Sequence, residues 1–357
     1  MKKKIVAILS ALLCVCMLAA CGGSGGGSAS GGSASGSASS TGGSGGSGEP
    51  EVVLEFGHIQ NPGHALYIAP EELKTLVEER SEGRIQLNIY PASQLGSARE
   101  MMEQVTMGTL DITFADASDW ASALNLPELG VFNLPFLNKD LASQIKVINE
   151  IIPDAVPEML EGTGLKLLTT YSNGIRQPLL KNHPINTLED IKGLKMRTPE
   201  TEMYVNLWNA LGASTVTSAW SEAYTVLQQG VADAVEADDV GLVSMNLQEI
   251  GKYMSKIGHL SQAYIVLINE EKWNSIPEDL QQILVECLAE NQAKQLADRE
   301  ALGIEAEQTI ADAGVEINEV SDTERQRMRD ACQSIYDKYA DEYGLADLIA
   351  QMEALNG

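Results

Sequence analysis

The sequence predicts an α/β protein, in which helices pack against sheets, and three observations lead to that class. Strand-like and helix-like segments alternate along most of the chain. Helix starts are marked by capping residues that follow the strand-like runs. Only two cysteines lie in the body of the chain and the histidines show no metal-ligand spacing, so neither disulfides nor a metal define the fold.

The first 21 residues form a predicted export signal. Three lysines precede an apolar run that ends in LAAC at Cys21. The run is shorter than the about 20 apolar residues that a membrane-spanning helix needs. The LAAC ending resembles the lipobox of bacterial lipoproteins. We therefore expect cleavage before Cys21, lipidation of that cysteine, and anchoring at the outer face of the cell membrane or on its periplasmic side.

Residues 22–48 are predicted to be a disordered tether. They are almost entirely glycine and serine, a composition that cannot bury enough apolar area to offset the entropy of ordering. As a flexible coil this segment has a root-mean-square reach of roughly 30 Å. We interpret it as a flexible linker between the lipid anchor and a folded body.

The body, residues 49–357, is larger than one hydrophobic core comfortably supports, and this predicts two domains. The whole chain has 24 Lys and Arg against 50 Asp and Glu, for a formal net charge of -26. Such a surface argues against nucleic acid as a partner. An anionic ligand would also be repelled unless the protein supplies local positive charge.

The elements of the body follow in order. EVVLEFGHI (51–59) reads as a strand, and 64–80 as a helix with apolar residues on one face. RIQLNIYP (84–91) is a strand that its proline stops, and LDITFAD is another strand after a helix closed by Gly108. The run from Pro277 to Ala313 has few helix breakers and predicts one long helix. Three further strands are predicted at GLKLLTTYS (164–172), GLKMR (193–197) and AYIVLIN (263–269).

Arg197 lies where a predicted strand ends, just before Thr198 and Pro199, which fit the start of a helix. Open α/β sheets bind ligands at the carboxyl ends of their strands, and a helix start presents unpaired N–H groups there. A guanidinium at this corner matches a carboxylate in shape and charge. The alternative is a surface arginine that pairs with Glu200 or Glu202.

Other polar and aromatic residues have open interpretations. Arg176 follows a strand in YSNGIRQ, and it is structural unless it meets the same carboxylate as Arg197. Trp220 belongs either to the core or to the floor of a pocket. The carboxylates of GVADAVEADD, Asp239 among them, have a solvated acidic turn as the simple alternative.

Enzyme chemistry has no support in the sequence. The body of the chain, residues 49–357, has no G-x-S-x-G, no P-loop and no HExxH. Cys287 and Cys332 are expected to be unpaired thiols. We therefore expect no catalysis, no metal and no cofactor.

At this point the motifs carry a family resemblance. Residues 51–350 resemble the solute-binding proteins of TRAP (tripartite ATP-independent periplasmic) transporters, the DctP-like family. The resemblance rests on an ordered series of motifs rather than on any single one. These motifs are YPASQLGSAREMMEQVTMGTLDITF, VFNLPFL, NGIRQP, IKGLKMRTPET, NALGASTVTSAWSEAYTVLQQGVADAVE and IPEDLQQIL.

The resemblance implies a periplasmic-binding-protein-like fold. In that fold, two α/β domains are joined by crossing strands and a long helix, and the ligand binds in the cleft between them. On this basis domain I is expected at 49–173 and 262–301, and domain II at 174–261 and 302–357.

The resemblance also implies roles for individual residues. The arginine of the family's GLKxR-P motif, here Arg197, meets the ligand carboxylate. The arginine of NGxRQ, here Arg176, supports it, and the aromatic residue before SE-Y, here Trp220, packs on the ligand. The predicted ligand-binding set further includes Glu236, Asp116, Asp119, Trp120, Asp239, His58 and Gln60.

Departures from the family pattern bear on the ligand. Many relatives have an asparagine where this chain has Ala237. The sialic-acid-binding members have an arginine where this chain has Asp119 and an asparagine where it has Ile59, which argues against sialic acid. Carboxylates expected near the cleft, Asp116 and Asp119 among them, favour hydroxyl or amine groups on the ligand.

The function implied by the resemblance is capture of a small organic acid and its delivery to the membrane subunits of a TRAP permease. The acid could be a C4-dicarboxylate, a sugar acid or a related carboxylate. We expect a monomer that contacts the membrane through its lipid alone. The alternative is an extracytoplasmic ligand-sensing subunit of a signalling receptor, which the neighbouring genes would distinguish.

Overall fold

The computed structural model describes residues 49–356, so the predicted signal with Cys21 and the tether at 22–48 lie outside the described residues. The strands are β1 (Val52–Gly57), β2 (Ile85–Tyr90), β3 (Ile112–Asp116), β4 (Leu165–Leu180), β5 (Lys195–Thr198), β6 (Ser214–Thr217), β7 (Ala234–Asp238), β8 (Tyr253–Lys256), β9 (Leu260–Asn269) and β10 (Glu316–Glu319). The helices are α1 (Ala65–Arg80), α2 (Ala98–Thr106), α3 (Ala117–Leu124), α4 (Leu141–Glu150), α5 (Ile152–Met159), α6 (Glu202–Ala210), α7 (Ala223–Gln228), α8 (Asp239–Ser244), α9 (Glu270–Ser275), α10 (Glu278–Asp312), α11 (Asp322–Ala331), α12 (Gln333–Asp337) and α13 (Ala346–Ala354).

The strands form one mixed sheet with β4 and β9 at its centre, and eight of them follow the order β2-β1-β3-β9-β4-β7-β5-β6. The other two lie off this path, since β8 pairs with β4 and β10 pairs with β8. The central strands pair antiparallel with each other. On one side β3 pairs with β9, and β1 and β2 follow in parallel. On the other side β7 pairs with β4, and β5 and β6 follow in parallel. The sheet thus has two α/β halves joined by crossing strands, as the fold class predicted.

Burial explains which strands occupy the interior of the sheet. Every residue of β3 and of β7 is buried, as expected for strands with both faces covered. The edge strand β6 instead has exposed residues at both of its ends. The ends of β3 and β7 therefore belong to well-packed elements.

The predicted end of a strand at residue 172 is wrong, because β4 continues to Leu180. Its pairing with β9 shifts register between Ser172 and Gly174. Gly174 adopts a left-handed φ of 89°, which glycine accepts at no steric cost. The Asn-Gly step is therefore a bulge inside a long strand rather than a turn.

The predicted long helix is confirmed by α10, which has 35 residues. Asn291 on this helix donates to the carbonyl of Ala69 in α1 at 2.9 Å. Further along, Arg299 donates to the carbonyl of Asn173 in β4 at 3.1 Å and to Oδ2 of Asp238 in β7 at 3.2 Å. Gly303 does not break the helix, and a Cβ at this position would lie 2.7 Å from Nη1 of Arg299. The helix therefore contacts both halves of the molecule.

The C-terminal helices pack near the start of α4. The Tyr336 hydroxyl donates to the carbonyl of Pro135 at 2.8 Å, and the Asn356 amide donates to the carbonyl of Leu137 at 2.8 Å. Cys287 and Cys332 are buried and unpaired, as predicted. Within residues 49–356, no helix has the length and apolar character needed to cross a membrane.

Candidate ligand-binding cleft

A cavity of about 130 Å³ lies across the two central strands, with walls from both halves of the sheet. One half contributes the loops after β1 and β2 and the first turns of α2 and α3. The other contributes the segments after β5 and β6 and the end of β7. The lining residues are Ile59, Gln60, His64, Ser93, Ser97, Ala98, Arg99, Met102, Asp119, Ser122, Ala123, Asn173, Arg176, Arg197, Pro199, Glu200, Thr201, Ser218, Ala219, Trp220, Ser221, Ala237, Asp238, Gly241, Gln262 and Tyr264.

Arg197 lines this cavity and is buried, with 1% of its surface exposed. Its Nε donates to the hydroxyl of Ser218 at 3.1 Å, and its Nη2 donates to the Ser218 carbonyl. Nη1 has no hydrogen-bond partner within the described part of the chain. Burial lowers the pKa of Arg197 to about 10. The guanidinium is thus a buried cation with a free donor group.

The alternative of a surface arginine is not what the structure shows. Within residues 49–356, Arg197 forms no ion pair with Glu200 or Glu202, and Glu202 pairs with Lys338 instead. The ring of Trp220 lies 5.6 Å from the Cζ of Arg197, as in a cation–π contact. Trp220 also lines the cavity and is half-buried, so it forms an apolar wall beside the cation.

Arg176 also lines the cavity, but its charge is already compensated. It donates to both carboxylate oxygens of Glu236, with Nη2 at 2.8 Å from Oε1. Its Nη1 donates to Oε1 of Gln262 at 2.5 Å. Burial alone would lower the pKa of Arg176, yet the charge of Glu236 raises it. Arg176 is therefore held as one half of a buried ion pair.

Glu236 is fully buried and does not line the cavity. Burial would raise the pKa of Glu236, but the charge of Arg176 and a hydrogen bond from His259 lower it. Nε2 of His259 lies 3.1 Å from Oε2 of Glu236. The structure places this carboxylate as the counter-ion of Arg176.

The acidic residues at the end of β7 mainly contact other residues of the protein. Asp238 lines the cavity, and its Oδ2 lies 3.2 Å from Nη2 of Arg299 and 3.5 Å from Nε2 of His64. Burial would raise the pKa of Asp238, but His64 and Arg299 lower it. The next residue, Asp239, lies outside the lining, and burial raises its pKa to about 6. The solvated acidic turn of the sequence interpretation is therefore a buried strand end.

Asp119 faces the cavity from the first turn of α3. Its Oδ1 accepts a hydrogen bond from the Thr201 hydroxyl, which joins the two halves of the sheet. Burial raises the pKa of Asp119. The predicted helix start at Pro199 is wrong, because α6 begins at Glu202, and the Thr201 side chain contacts Asp119 instead of capping that helix.

The remaining predicted residues divide between the wall and the core. Gln60 lines the cavity, whereas Asp116, Trp120 and His58 do not. Trp120 is buried and donates to the carbonyl of Ile265 at 3.0 Å. His58 stacks on Phe114 at 5.3 Å, and burial lowers its pKa to about 3.

Asp116 caps α3, with its Oδ1 accepting from the Ser118 N–H at 2.9 Å. Its Oδ2 accepts from Asn133 and from the hydroxyl of Tyr204, each at 3.2 Å. Burial raises the pKa of Asp116 to about 7. All of these contacts are internal to the protein.

Sequence reasoning missed several polar residues of the wall. Asn173 belongs to an Asn-Gly step, which is typical of a turn or a domain crossing, and Gln262 lies in no recognised motif. The Asn173 amide donates to Oε1 of Gln262 at 2.6 Å, while the Asn173 Oδ1 is buried without a partner in the described chain. His64 was recognised only as a helix start, although it caps α1 and reaches Asp238.

The fold and the cavity together define a binding protein of the periplasmic type, in which two α/β halves enclose a small solute. The chain belongs to the DctP family, described as bacterial extracellular solute-binding protein, family 7, whose sequence model matches residues 56–342. This confirms the predicted TRAP-type family.

Two curated relatives illustrate the family. The 2,3-diketo-L-gulonate-binding periplasmic protein YiaO of Escherichia coli K12 is 30% identical over 78% of this chain and 84% of its own length. The C4-dicarboxylate-binding periplasmic protein DctP of Rhodobacter capsulatus is 28% identical over 85% of this chain and 90% of its own length.

Solved structures agree with the fold. A TRAP periplasmic solute-binding protein from Chromohalobacter salexigens, solved with bound D-glucuronate, has a TM-score of 0.80 at 26% identity. It covers 85% of this chain and 99% of its own. One from Desulfovibrio salexigens with bound orotic acid has a TM-score of 0.79 at 28% identity, covering 85% of this chain and 99% of its own.

Proposed function

We propose that this protein captures a small organic acid in the cleft, holds its carboxylate on Arg197, and delivers it to a TRAP-type permease. The observation that carries the proposal is the unpartnered Nη1 of Arg197, a buried donor on a buried cation that has no carboxylate partner in the described chain. A ligand carboxylate would accept from this group and compensate the charge. The proposal includes no catalytic step.

The net charge of the chain and the ligands described for its relatives support the same proposal. The chain has a formal net charge of -26, so an acid needs a local cation to stay bound. The relatives and neighbours named above are described with a sugar-acid derivative, C4-dicarboxylates, D-glucuronate and orotic acid, all of which carry carboxyl groups at neutral pH. Arg176 then acts as a support, because Glu236 already occupies its guanidinium.

The test is calorimetric binding of a panel of organic acids to the parent protein, to Arg197→Ala and to Arg197→Lys. Losing a hydrogen bond to a charged group costs about 1.5–3 kcal/mol, so Arg197→Ala should weaken binding at least about tenfold. Arg197→Lys should recover only part of this, because a point charge cannot reproduce the planar fork. Arg327→Ala, which removes an exposed arginine far from the cavity, is the matched control. A folded Arg197→Ala protein that binds within about twofold of the parent would contradict the proposal.

We also propose that the protein is exported and held at the membrane by lipid on Cys21, as a monomer on its Gly/Ser tether. The LAAC ending of the apolar run supports this. Cys21→Ser should release the protein into the medium or leave its signal uncut, as followed by fractionation and intact mass. A processed Cys21→Ser protein that stays with the membrane would count against lipid anchoring.

The sensor alternative shares the same ligand site and differs in the partner. A permease gene beside this one, and ligand uptake that requires both genes, would favour transport. Ligand-dependent signalling without uptake would favour the sensor.

A further inference from the structure

The cavity offers an acid only one uncompensated cation. Three arginines line it, and they differ in burial and partner. Arg176 pairs with the buried Glu236, whereas Arg99 is an exposed side chain in a surface pair with Glu103, so Arg197 is the buried arginine of the lining without a carboxylate partner in the described chain. Because a buried carboxylate needs a counter-charge, the cavity is equipped to hold one ligand carboxylate and not two.

The rest of the polar wall presents hydrogen-bond acceptors. Asp119 lines the cavity and uses its Oδ1 to accept from Thr201, whereas its Oδ2 makes no hydrogen bond to another described residue. Asn173 also lines the cavity, is 3% exposed, and has a buried Oδ1 without a described partner. The carboxylate of Asp238 is already bound by Arg299 and His64. The Oδ2 of Asp119 and the Oδ1 of Asn173 are therefore acceptors that a hydrogen-bond donor on the ligand can use.

These two features discriminate between kinds of acid. A hydroxyl group on the ligand can donate to Asp119 or Asn173 and satisfy them. A second ligand carboxylate has no proton to donate at neutral pH. It would also meet the like charge of Asp119 in a partly buried site, where water screens the repulsion less than in bulk solution.

We propose that Asp119 is a specificity-determining residue that selects hydroxylated monocarboxylates and rejects dicarboxylates. The ligand carboxylate lies on Arg197, and a ligand hydroxyl donates to Asp119. This inference rests on the proposed function, because it assumes that the cavity binds an acid at Arg197. It narrows the ligand to a class, such as sugar acids or short hydroxy acids, that carries one negative charge.

The test compares acids that share a skeleton and differ by one carboxylate. Three pairs serve: glycerate with tartronate, 3-hydroxybutyrate with malate, and D-gluconate with D-glucarate. Each is titrated calorimetrically into the parent protein at pH 7.5. In the pair that binds best, the monocarboxylate should bind at least about tenfold tighter than its diacid, a difference of about 1.4 kcal/mol.

The Asp119→Asn variant then tests how much the negative charge of Asp119 contributes to the preference. Asparagine keeps an oxygen that can accept from Thr201 but removes the negative charge, so the preference for the monocarboxylate should shrink to about threefold or less, mainly through tighter binding of the diacid. Asp341→Asn is the matched control, because Asp341 is exposed, lies outside the lining of the cavity, and loses the same charge through the same Asp-to-Asn change. The control should keep the parent preference. Circular dichroism checks that each variant is folded.

The outcomes separate this inference from the function on which it rests. A diacid that binds as tightly as its monocarboxylate, and loses affinity in Arg197→Ala, overturns the role of Asp119 and leaves the proposed function intact. An unchanged preference in Asp119→Asn also overturns it. Failure of all six acids and of the wider acid panel to bind the parent protein overturns both.

Discussion

Arg176 donates to both carboxylate oxygens of Glu236, and the two side chains form an ion pair that is almost completely removed from solvent. Arg197 faces the same cavity with no carboxylate partner in the described chain. The two arginines therefore differ in their partners: Arg176 has a buried carboxylate counter-ion, and Arg197 has none in the described chain.

The first prediction is that Arg176→Ala mainly affects stability. It leaves Glu236 buried without its counter-ion, and breaking a buried pair costs about 3–5 kcal/mol of the free energy of unfolding. Urea unfolding without ligand should show a much smaller loss for Arg197→Ala, which removes an uncompensated charge. The double variant Arg176→Met/Glu236→Leu should recover most of the stability. Equal losses for the two alanine variants would contradict this assignment of roles.

The second prediction concerns pH and Asp116. Burial raises the pKa of this carboxyl to about 7, above its ordinary value of 3.8, so the folded protein binds a proton there that the unfolded chain releases. Its contribution to stability is therefore present below the unfolded pKa and is lost as the pH rises toward 7. Asp116→Asn should reduce this fall in stability between about pH 4 and pH 7.

Denaturant unfolding of the parent and Asp116→Asn across that range measures the difference. Asp341→Asn, a change at an exposed aspartate, is the control and should follow the parent curve. A variant whose stability has the same pH slope as the parent would show that Asp116 does not bind this proton.

The third prediction concerns the bulge at Gly174. Alanine there would have to keep a left-handed φ, at about 1–2 kcal/mol, and its Cβ would collide with the guanidinium of Arg299. Overpacking of this kind adds about 1–3 kcal/mol. Gly162→Ala is a close control, because Gly162 has a φ of 76° and no atom near the added Cβ. If thermal melts show equal losses of stability for Gly174→Ala and Gly162→Ala, the collision of the added Cβ with Arg299 contributes nothing.

The fourth prediction is that ligand binding compacts the protein. The walls of the cavity lie on either side of β4 and β9, and Thr201 reaches Asp119 across it. Hinge bending at the crossing strands would form or tighten this contact. Small-angle scattering should show a smaller radius of gyration with a bound acid, and no change for Arg197→Ala in the same acid. A constant radius at saturating ligand would refute closure.

Much of the fold and part of the site could be predicted from sequence, because local patterns record them. The strand that contains Arg197 and the long helix α10 follow from periodicity and from the scarcity of helix breakers, whereas the predicted end of β4 and the predicted start of α6 are wrong. The partner of Arg176 does not follow from local patterns, since Glu236 is distant in sequence and becomes a neighbour only through the pairing of β4 with β7. Gln262 had no motif for the same reason, although it contacts both Arg176 and Tyr204.

The pairing of β3 with β9 has a consequence for the time course of folding. Asp116 pairs with Tyr264, so the first half of the sheet cannot close until most of the chain has been made. Contacts this distant along the chain form slowly, because the entropy of closing a long loop is lost before the pairing stabilises it. The export that we propose requires a chain that stays unfolded until it has crossed the membrane. Late closure of its central sheet would lengthen that interval without requiring any special sequence to delay folding.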